Sequence, residues 1–559
     1  MSAFKYFENL EQKLEQIKTD EFYRPYLEEL KATYEENKEA DTVLDYQSFM
    51  CFFTTGSRLE YETKYFARRS RLCVTLILYL LYKEQHYLDE LCETIWQICS
   101  QITWVYPAHL RGIEVEDYRT HIDLGAAETA HSLAEVDYLV GDALPERIRA
   151  LIRHEVKERI FDAYESRPYF WEKLENNWPG VCGGSVGMAY MYLAPERFEK
   201  VKDRLLEVME TFKRSYGEDG SNTEGISYWQ YGFWMYLNFA DMLYHYSEGK
   251  IDIRHLEKVE KMARFPLKTV MRGYITVSFS DSARVFPFEN IGLFTYLKKN
   301  YDGYEILPPQ TKELGKAGWS KSTFTLRNFL WSDPECLKTQ TELKMGMEYL
   351  TDAQWYMVRK PNYSFAAKGG HNDEGHNHND VGNFVLATDN GQMIADLGAM
   401  EYTAKCFSSE RYTLLQNSSR GHSVPIIDGK EQGSGRRYHA SVCEVTDTRF
   451  SMELQGAYET DIPKIIRSFE VGDHGVTVTD EYETIDGHEI TERFISVVEP
   501  EIDGNKVRIG DVMLCADVLP KITKDAVKNK KQIDEPLWLI DYPVTEEKFV
   551  IEIQVESYL

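Results

Sequence analysis

The apolar residues of this 559-residue chain change their period once, and that change constrains the fold more than any single motif does. From the start to about residue 320 they recur at three- and four-residue spacing with charges between, as in RLCVTLILYLLYKEQHYLDELCETIWQICSQITWVY, ERIRALIRHEVKERIFDAYESR and RFEKVKDRLLEVMETFKRSYG. That spacing puts the apolar side chains on one face of a helix. Helices of about 12–20 residues with short polar links predict a helical array, solenoid or toroid, and no fixed repeat length marks a named repeat. After about residue 340 the period falls to two. NFVLATDNGQMIAD predicts a hairpin turning at Asn390–Gly391, and SFEVGDHGVTVTDEYETI, ERFISVV and FVIEIQVESYL continue the alternation. Short alternating strands with Gly and Asp turns predict an antiparallel β-sandwich. The expected division is a helical domain over 1–325 and a β domain over 340–559. The break falls between 310 and 345, where PPQTKELGKAG and WSDPECLKTQ suit neither period.

Composition narrows the function classes. Hydrophobic residues at 43% and charged residues at 28% suit a globular multidomain protein. A net charge of −27 argues against nucleic acid and against anionic membranes as partners. An anionic substrate would therefore need a local pocket. The most apolar run, LCVTLILYLLY at 72–82, is too short to span a bilayer. The first residues lack the charged-then-apolar pattern of a secretory signal, and nine cysteines without a CxxC pair suit a reducing compartment. The expectation is a soluble cytoplasmic protein. Its oligomeric state is left open, a homo-oligomer included.

Four stretches carry residues suited to chemistry. In ENNWPGVCGGSVGMAYMYL, Pro179 suits a first helical turn, with Asn177 or Trp178 at the N-cap. An amide at a helix start can also donate to an anion. In EDGSNTEGISYWQYGFWMYLNF, Ser221 and Glu224 fit a capping box. Glu224, Tyr228 and Tyr231 then share one helical face, as a core stripe or as the lining of a sugar cleft with one tyrosine carrying a proton. In HNDEGHNHND, an extended 376–380 would point His376, His378 and Asp380 to one side, suited to zinc or to acid–base work, with Asp396 returning nearby. In SSERYTLLQNSSRGHSVPIIDGKEQ, His422 sits at a strand entrance, and Arg411 and Tyr412 are of kinds that bind carboxylates and sugars.

Taken together, NNW at 176–178, DGSNTEGISYWQYG at 219–232, HNHNDVGNF at 376–384, IADLG at 394–398, ERY at 410–412 and NSSRGHSVPIIDG at 417–429 resemble the heparinase II/III-like polysaccharide lyases. The resemblance covers the middle of the chain and the start of its β region. It implies an incomplete α/α-toroid followed by an antiparallel β-sandwich, and cleavage of uronic-acid glycans by β-elimination. It assigns Asn177 to neutralising the substrate carboxylate and Tyr231 and His376 to acid–base catalysis, with Trp178, Glu224, Tyr228 and Arg411 against the substrate. Where members bind zinc, the ligands match His378, Asp396 and His422, a structural site with no organic cofactor beside it. Some members have histidine in place of Asn177, which bears on whether both uronate epimers are handled.

The chemistry accounts for these residue types. A uronate C5 proton is barely acidic while the neighbouring carboxylate stays charged, so a hydrogen bond to that carboxylate stabilises the enolate-like transition state. A tyrosine with an ordinary pKa of about 10 needs nearby positive charge, an imidazolium or Arg411, to act as base. The expected substrate is a uronate-containing oligosaccharide, of glycosaminoglycan type first and oligoalginate second. The competing readings are a glycoside hydrolase using Glu224 with Asp373 or Glu374, and a non-catalytic glycan-binding protein.

Overall fold

The computed structural model describes residues 6–7, 9–307, 321–338, 341–399, 401–529 and 533–556. The stretch PPQTKELGKAG, part of the expected break, lies outside the described residues. The chain divides into two compact units. The first comprises Met1–Ser215, Gln230–Ala263 and Pro287–Thr341, and the second Tyr216–Trp229, Arg264–Phe286 and Glu342–Leu559. Two short stretches from the first half of the sequence thus pack with the β region.

The first unit is helical. Its longest helix, Leu59–Tyr82, carries the run at 72–82, and that run is buried against Arg24–Glu39, Gln85–Cys99 and Ser322–Leu330. The apolar run is therefore a core helix wrapped by protein on all sides. No helix among the described residues is long and apolar enough to cross a membrane. Lys83, at φ +56°, closes this helix in the left-handed conformation, so only two residues separate it from the next. Leu124–Val140 and Gly184–Leu193 pack together. The buried charge of Arg327 is paired with Glu135 at 2.8 Å, with neither side chain exposed.

The second unit is built of antiparallel sheets. One sheet orders Gly346–Leu350, Trp355–Arg359, Ser364–Lys368, Phe384–Thr388 and Gly391–Ile394 side by side. A larger one has eight strands with Lys548–Val555 in its interior, flanked by Gly475–Tyr482 and Val512–Ala516. Lys548–Val555 alternates exposed and buried residues throughout, as a strand with one solvated face must. Trp355–Arg359, Ser364–Lys368 and Phe384–Thr388 are buried on both faces. Phe365 and Phe384 of the first sheet meet Phe469 of the second at 5.1 and 5.2 Å between ring centroids, which is the sandwich core. Each such buried ring contributes roughly 1.5–3 kcal/mol. The expected hairpin forms but turns one residue earlier, at Asp389–Asn390, with Gly391 opening the return strand at a positive φ of +125°.

Candidate active site and metal-binding cluster

In the second unit the site assembles around Asp281, on the stretch 264–286. Its Oδ2 lies 2.8 Å from His376 Nδ1 and its Oδ1 3.1 Å from His378 Nε2. Arg411 donates to Oδ2 at 3.2 Å, and Tyr402 also bonds this carboxyl. Burial opposes the charge, but the two imidazoles and the Arg411 guanidinium hold the Asp281 carboxyl well below the usual range. The loop that presents it is strained: Ser280 sits at φ +62°, where a residue with a Cβ is uncommon. Gly398, at φ +61°, makes the close approach to this loop. A Cβ there would lie 2.2 Å from the Ser282 carbonyl oxygen, and Ala399 N donates to that oxygen at 2.8 Å. The glycine of IADLG therefore seats Asp281 against the end of the Asp396 segment.

The stretch 376–380 differs from the extended segment expected. His376 has φ +55°, so the chain turns there, and it is Asp281 that brings His376 and His378 together, one on each carboxylate oxygen. Asp380 accepts through Oδ1 from the buried ammonium of Lys368 at 2.8 Å, and its Oδ2 lies 4.0 Å from His422 Nδ1. The His376 ring stacks on Tyr228 at 4.0 Å, and Tyr228 Oη meets Tyr402 Oη at 2.5 Å. Its Nε2 lies 3.4 Å from Glu224 Oε1. Glu224 does not act in the capping box expected of it. The helix Ile226–Tyr246 starts beyond it, and Glu224 N donates to Asn222 Oδ1 at 2.9 Å. Arg411 reaches the carbonyls of His376, Asn377 and Cys406 as well as Asp281, which occupies its guanidinium. Tyr412 donates to Asn377 Oδ1 at 2.9 Å.

His378, Asp396 and His422 come together, fully buried, with one ligand atom from each within 4.8 Å of the others. Their bonding fits a metal ion. His378 gives Nε2 to Asp281, and His422 has Nε2 3.0 Å from the Gln416 carbonyl oxygen. Both outer nitrogens thus face acceptors and carry the proton, which leaves both Nδ1 lone pairs for the interior. His378 Nδ1 is buried with no hydrogen-bond partner, and His422 Nδ1 lies 3.3 Å from Asp396 Oδ2. Asp396 is oriented by Gly398 N at 2.7 Å and Asn383 Nδ2 at 2.7 Å. Burial lowers the His378 pKa. For His422 burial acts the same way, but Asp396 overcomes it and the pKa is raised. Two imidazoles and a carboxylate are a donor set that suits zinc.

In the helical unit, Asn177 is buried just before the π-helical turn Pro179–Gly183. The capping role expected of Asn177 or Trp178 falls to Asn176, whose Oδ1 accepts from Trp178 N at 2.9 Å. Trp178 lies in a ring cluster, 4.8 Å from His109 and 5.3 Å from Phe170. Tyr231 is half-buried, with the Lys321 ammonium 4.2 Å from its ring centroid. Burial, then the adjacent Glu128 carboxylate, pushes the Tyr231 phenol well above its usual pKa. The positive charge beside it is Lys321, itself bound to Glu128 at 2.7 Å, and neither was singled out from the sequence. Asp281 and Tyr402 were missed as well, since they sit in stretches without period or motif.

Residues 344–529 match the family described as heparinase II/III-like, C-terminal. Among curated proteins none matches the chain by sequence. Solved structures do match over nearly all of it. A heparan sulfate lyase mutant from Pedobacter heparinus aligns with a TM-score of 0.60 at 13% identity, covering 99% of this chain and 92% of that one. A chondroitin AC lyase of Streptomyces coelicolor, in complex with chondroitin sulphate, aligns with a TM-score of 0.58 at 9% identity over 99% and 83%. A Paenibacillus xanthan lyase aligns with a TM-score of 0.57 at 9% identity over 99% and 60%. The shared fold is the expected one, an α/α-toroid followed by an antiparallel β-sandwich, and the family match is confined to residues 344–529.

Proposed function

We propose that this protein is a polysaccharide lyase that cleaves uronic-acid-containing glycans by β-elimination, with glycosaminoglycan-type fragments as its substrate class. The observation that carries the reading is the setting of His376: stacked on Tyr228, bound through Nδ1 to Asp281, with Nε2 towards Glu224. A buried carboxylate behind an imidazole fixes its tautomer and stabilises the imidazolium that forms as it takes a proton. In this mechanism Asn177 hydrogen-bonds the uronate carboxylate. His376 removes the C5 proton, the freed electron pair forms the C4–C5 double bond, and the C4–O4 bond breaks. Tyr231, kept as a phenol by burial and Glu128, gives its proton to the leaving oxygen. Zinc is the proposed metal. Held by His378, Asp396 and His422, it would supply a fixed positive charge that ties three chain segments together beside His376. The relatives named above, acting on heparan sulfate, chondroitin sulphate and xanthan, favour an acidic glycan.

The test is an absorbance screen against uronate oligosaccharides of both epimers, oligoalginate included. Elimination creates an unsaturated uronate that absorbs in the ultraviolet. Chain cleavage without that absorbance would mean a hydrolase, and tight binding without cleavage a glycan-binding protein.

A further inference from the structure

We propose that Asp281 is a positioning residue that couples the acid–base imidazole of His376 to the metal-binding imidazole of His378. The inference rests on the lyase reading for the role of His376 and on the donor set of the buried cluster for that of His378.

The argument is one of hydrogen-bond inventory. The groups on Asp281 are donors: His376 Nδ1 at 2.8 Å and Arg411 Nη2 at 3.2 Å on Oδ2, His378 Nε2 at 3.1 Å on Oδ1, and the Tyr402 hydroxyl. A carboxylate accepts at both oxygens and meets all of them. An amide of the same shape cannot, because it has one oxygen and one NH2 group. With its oxygen kept where His376 and Arg411 converge, the NH2 group faces His378 Nε2–H. His378 must then move its proton to Nδ1, and that consumes the lone pair aimed at Asp396 and His422. The alternative orientation loses the bond to His376 instead. Each bond is thus a condition on one imidazole, and a single side chain imposes both.

The surroundings support a built arrangement. Asp281 is 2% exposed. Its loop is held by the close approach at Gly398 and by Gly225, where a Cβ would lie 2.5 Å from Ser282 Cβ. Gly225 follows Glu224, so the same loop contact places the second carboxylate at His376. Outer partners of this kind typically tune metal affinity by about 10–100-fold when they are removed.

The experiment compares the full-length protein with Asp281→Asn, and with His378→Ala as the metal-loss control. Zinc affinity is measured by competition with a chromophoric chelator, the His376 tautomer by histidine-ring nitrogen NMR, and kcat and KM on the best uronate oligosaccharide. We expect Asp281→Asn to keep the circular-dichroism spectrum, lose zinc affinity by roughly 10–100-fold and lose kcat with KM little changed. Wild-type zinc affinity and an unchanged His376 tautomer in a folded Asp281→Asn protein would overturn the proposal. So would a loss of kcat with zinc affinity intact. Absence of turnover by the unmodified protein on every glycan would count against the lyase reading alone, because the zinc and tautomer readouts would still decide the coupling.

Discussion

Lys321 holds its ammonium 4.2 Å from the centroid of the Tyr231 ring while binding Glu128 at 2.7 Å, so this cation beside the proposed acid is already neutralised. The phenol is therefore kept protonated, which suits a donor to a leaving oxygen better than a resident base. Tyr231→Phe should fold normally and lose kcat by roughly 10²–10⁴-fold. Because the pKa is raised, the alkaline limb that belongs to this group should lie above the ordinary tyrosine value of about 10. Near wild-type turnover in folded Tyr231→Phe, measured by the absorbance assay, would defeat the assignment.

The His378–Asp396–His422 cluster predicts a bound metal. Protein purified without chelator should carry close to one equivalent of zinc by elemental analysis, and His378→Ala should carry little. Buried sites whose segments are tied by an ion also lose stability when it leaves. Chelator treatment should thus lower the melting temperature of the unmodified protein and leave that of His378→Ala nearly unchanged. Equal, negligible metal in both proteins would mean that the three groups only hydrogen-bond one another.

Which parts of this site could be read from the sequence follows from how locally each is determined. Asp396 was legible because a two-residue hairpin returns it towards the histidine stretch, and strand alternation carries that information over a dozen residues. Asp281 was not, because its partners lie 95 and 97 positions away and SFSDSAR around it has neither period nor motif. The capping-box pattern at Ser221 and Glu224 was a true local match overridden by packing, as Asp219 and Asn222 turn the chain instead. Alternation likewise suggested an extended 376–380, whereas the pull of one buried carboxylate on two imidazoles turns the backbone at His376. The change of helical to β period survived because it is summed over hundreds of residues, and no single contact can reverse it.

Behind the cluster, Arg467 binds Asp480 at 2.8 Å and Glu492 at 2.6 Å, and donates to the carbonyls of Gly382 and Ser423 next to Asn383 and His422. Burial, reinforced by Asp480, pushes the Glu492 carboxyl up to about 8. A carboxyl whose folded pKa is raised contributes stability that is complete below its unfolded pKa and lost as pH rises through the folded value. The melting temperature of the β unit should therefore fall between about pH 4, the ordinary glutamate value, and about pH 8. Glu492→Gln, neutral at every pH and still able to accept from Arg467, should flatten that fall. An identical slope in calorimetry of the variant would remove Glu492 as its cause.

Gly232 gives a last prediction, because it tests Asn177 without touching it. A Cβ at this position would lie 2.9 Å from the Phe212 ring and 3.2 Å from Asn177 Cβ, in a helix where φ alone would tolerate alanine. The cost is thus one of overpacking, about 1–3 kcal/mol, and is met by shifting the Phe212 ring or the asparagine. A displaced Asn177 no longer meets the uronate carboxylate squarely, and misplacement on the order of 1 Å can cost about a hundredfold in rate. Gly232→Ala should lower kcat/KM on uronate oligosaccharides by tenfold or more, about as Asn177→Ala does, while the protein stays folded at the assay temperature. Combining the two substitutions should add little, since both act on the same amide. Additive losses in that double variant would place the effect of Gly232 elsewhere, on the packing of Phe212 alone.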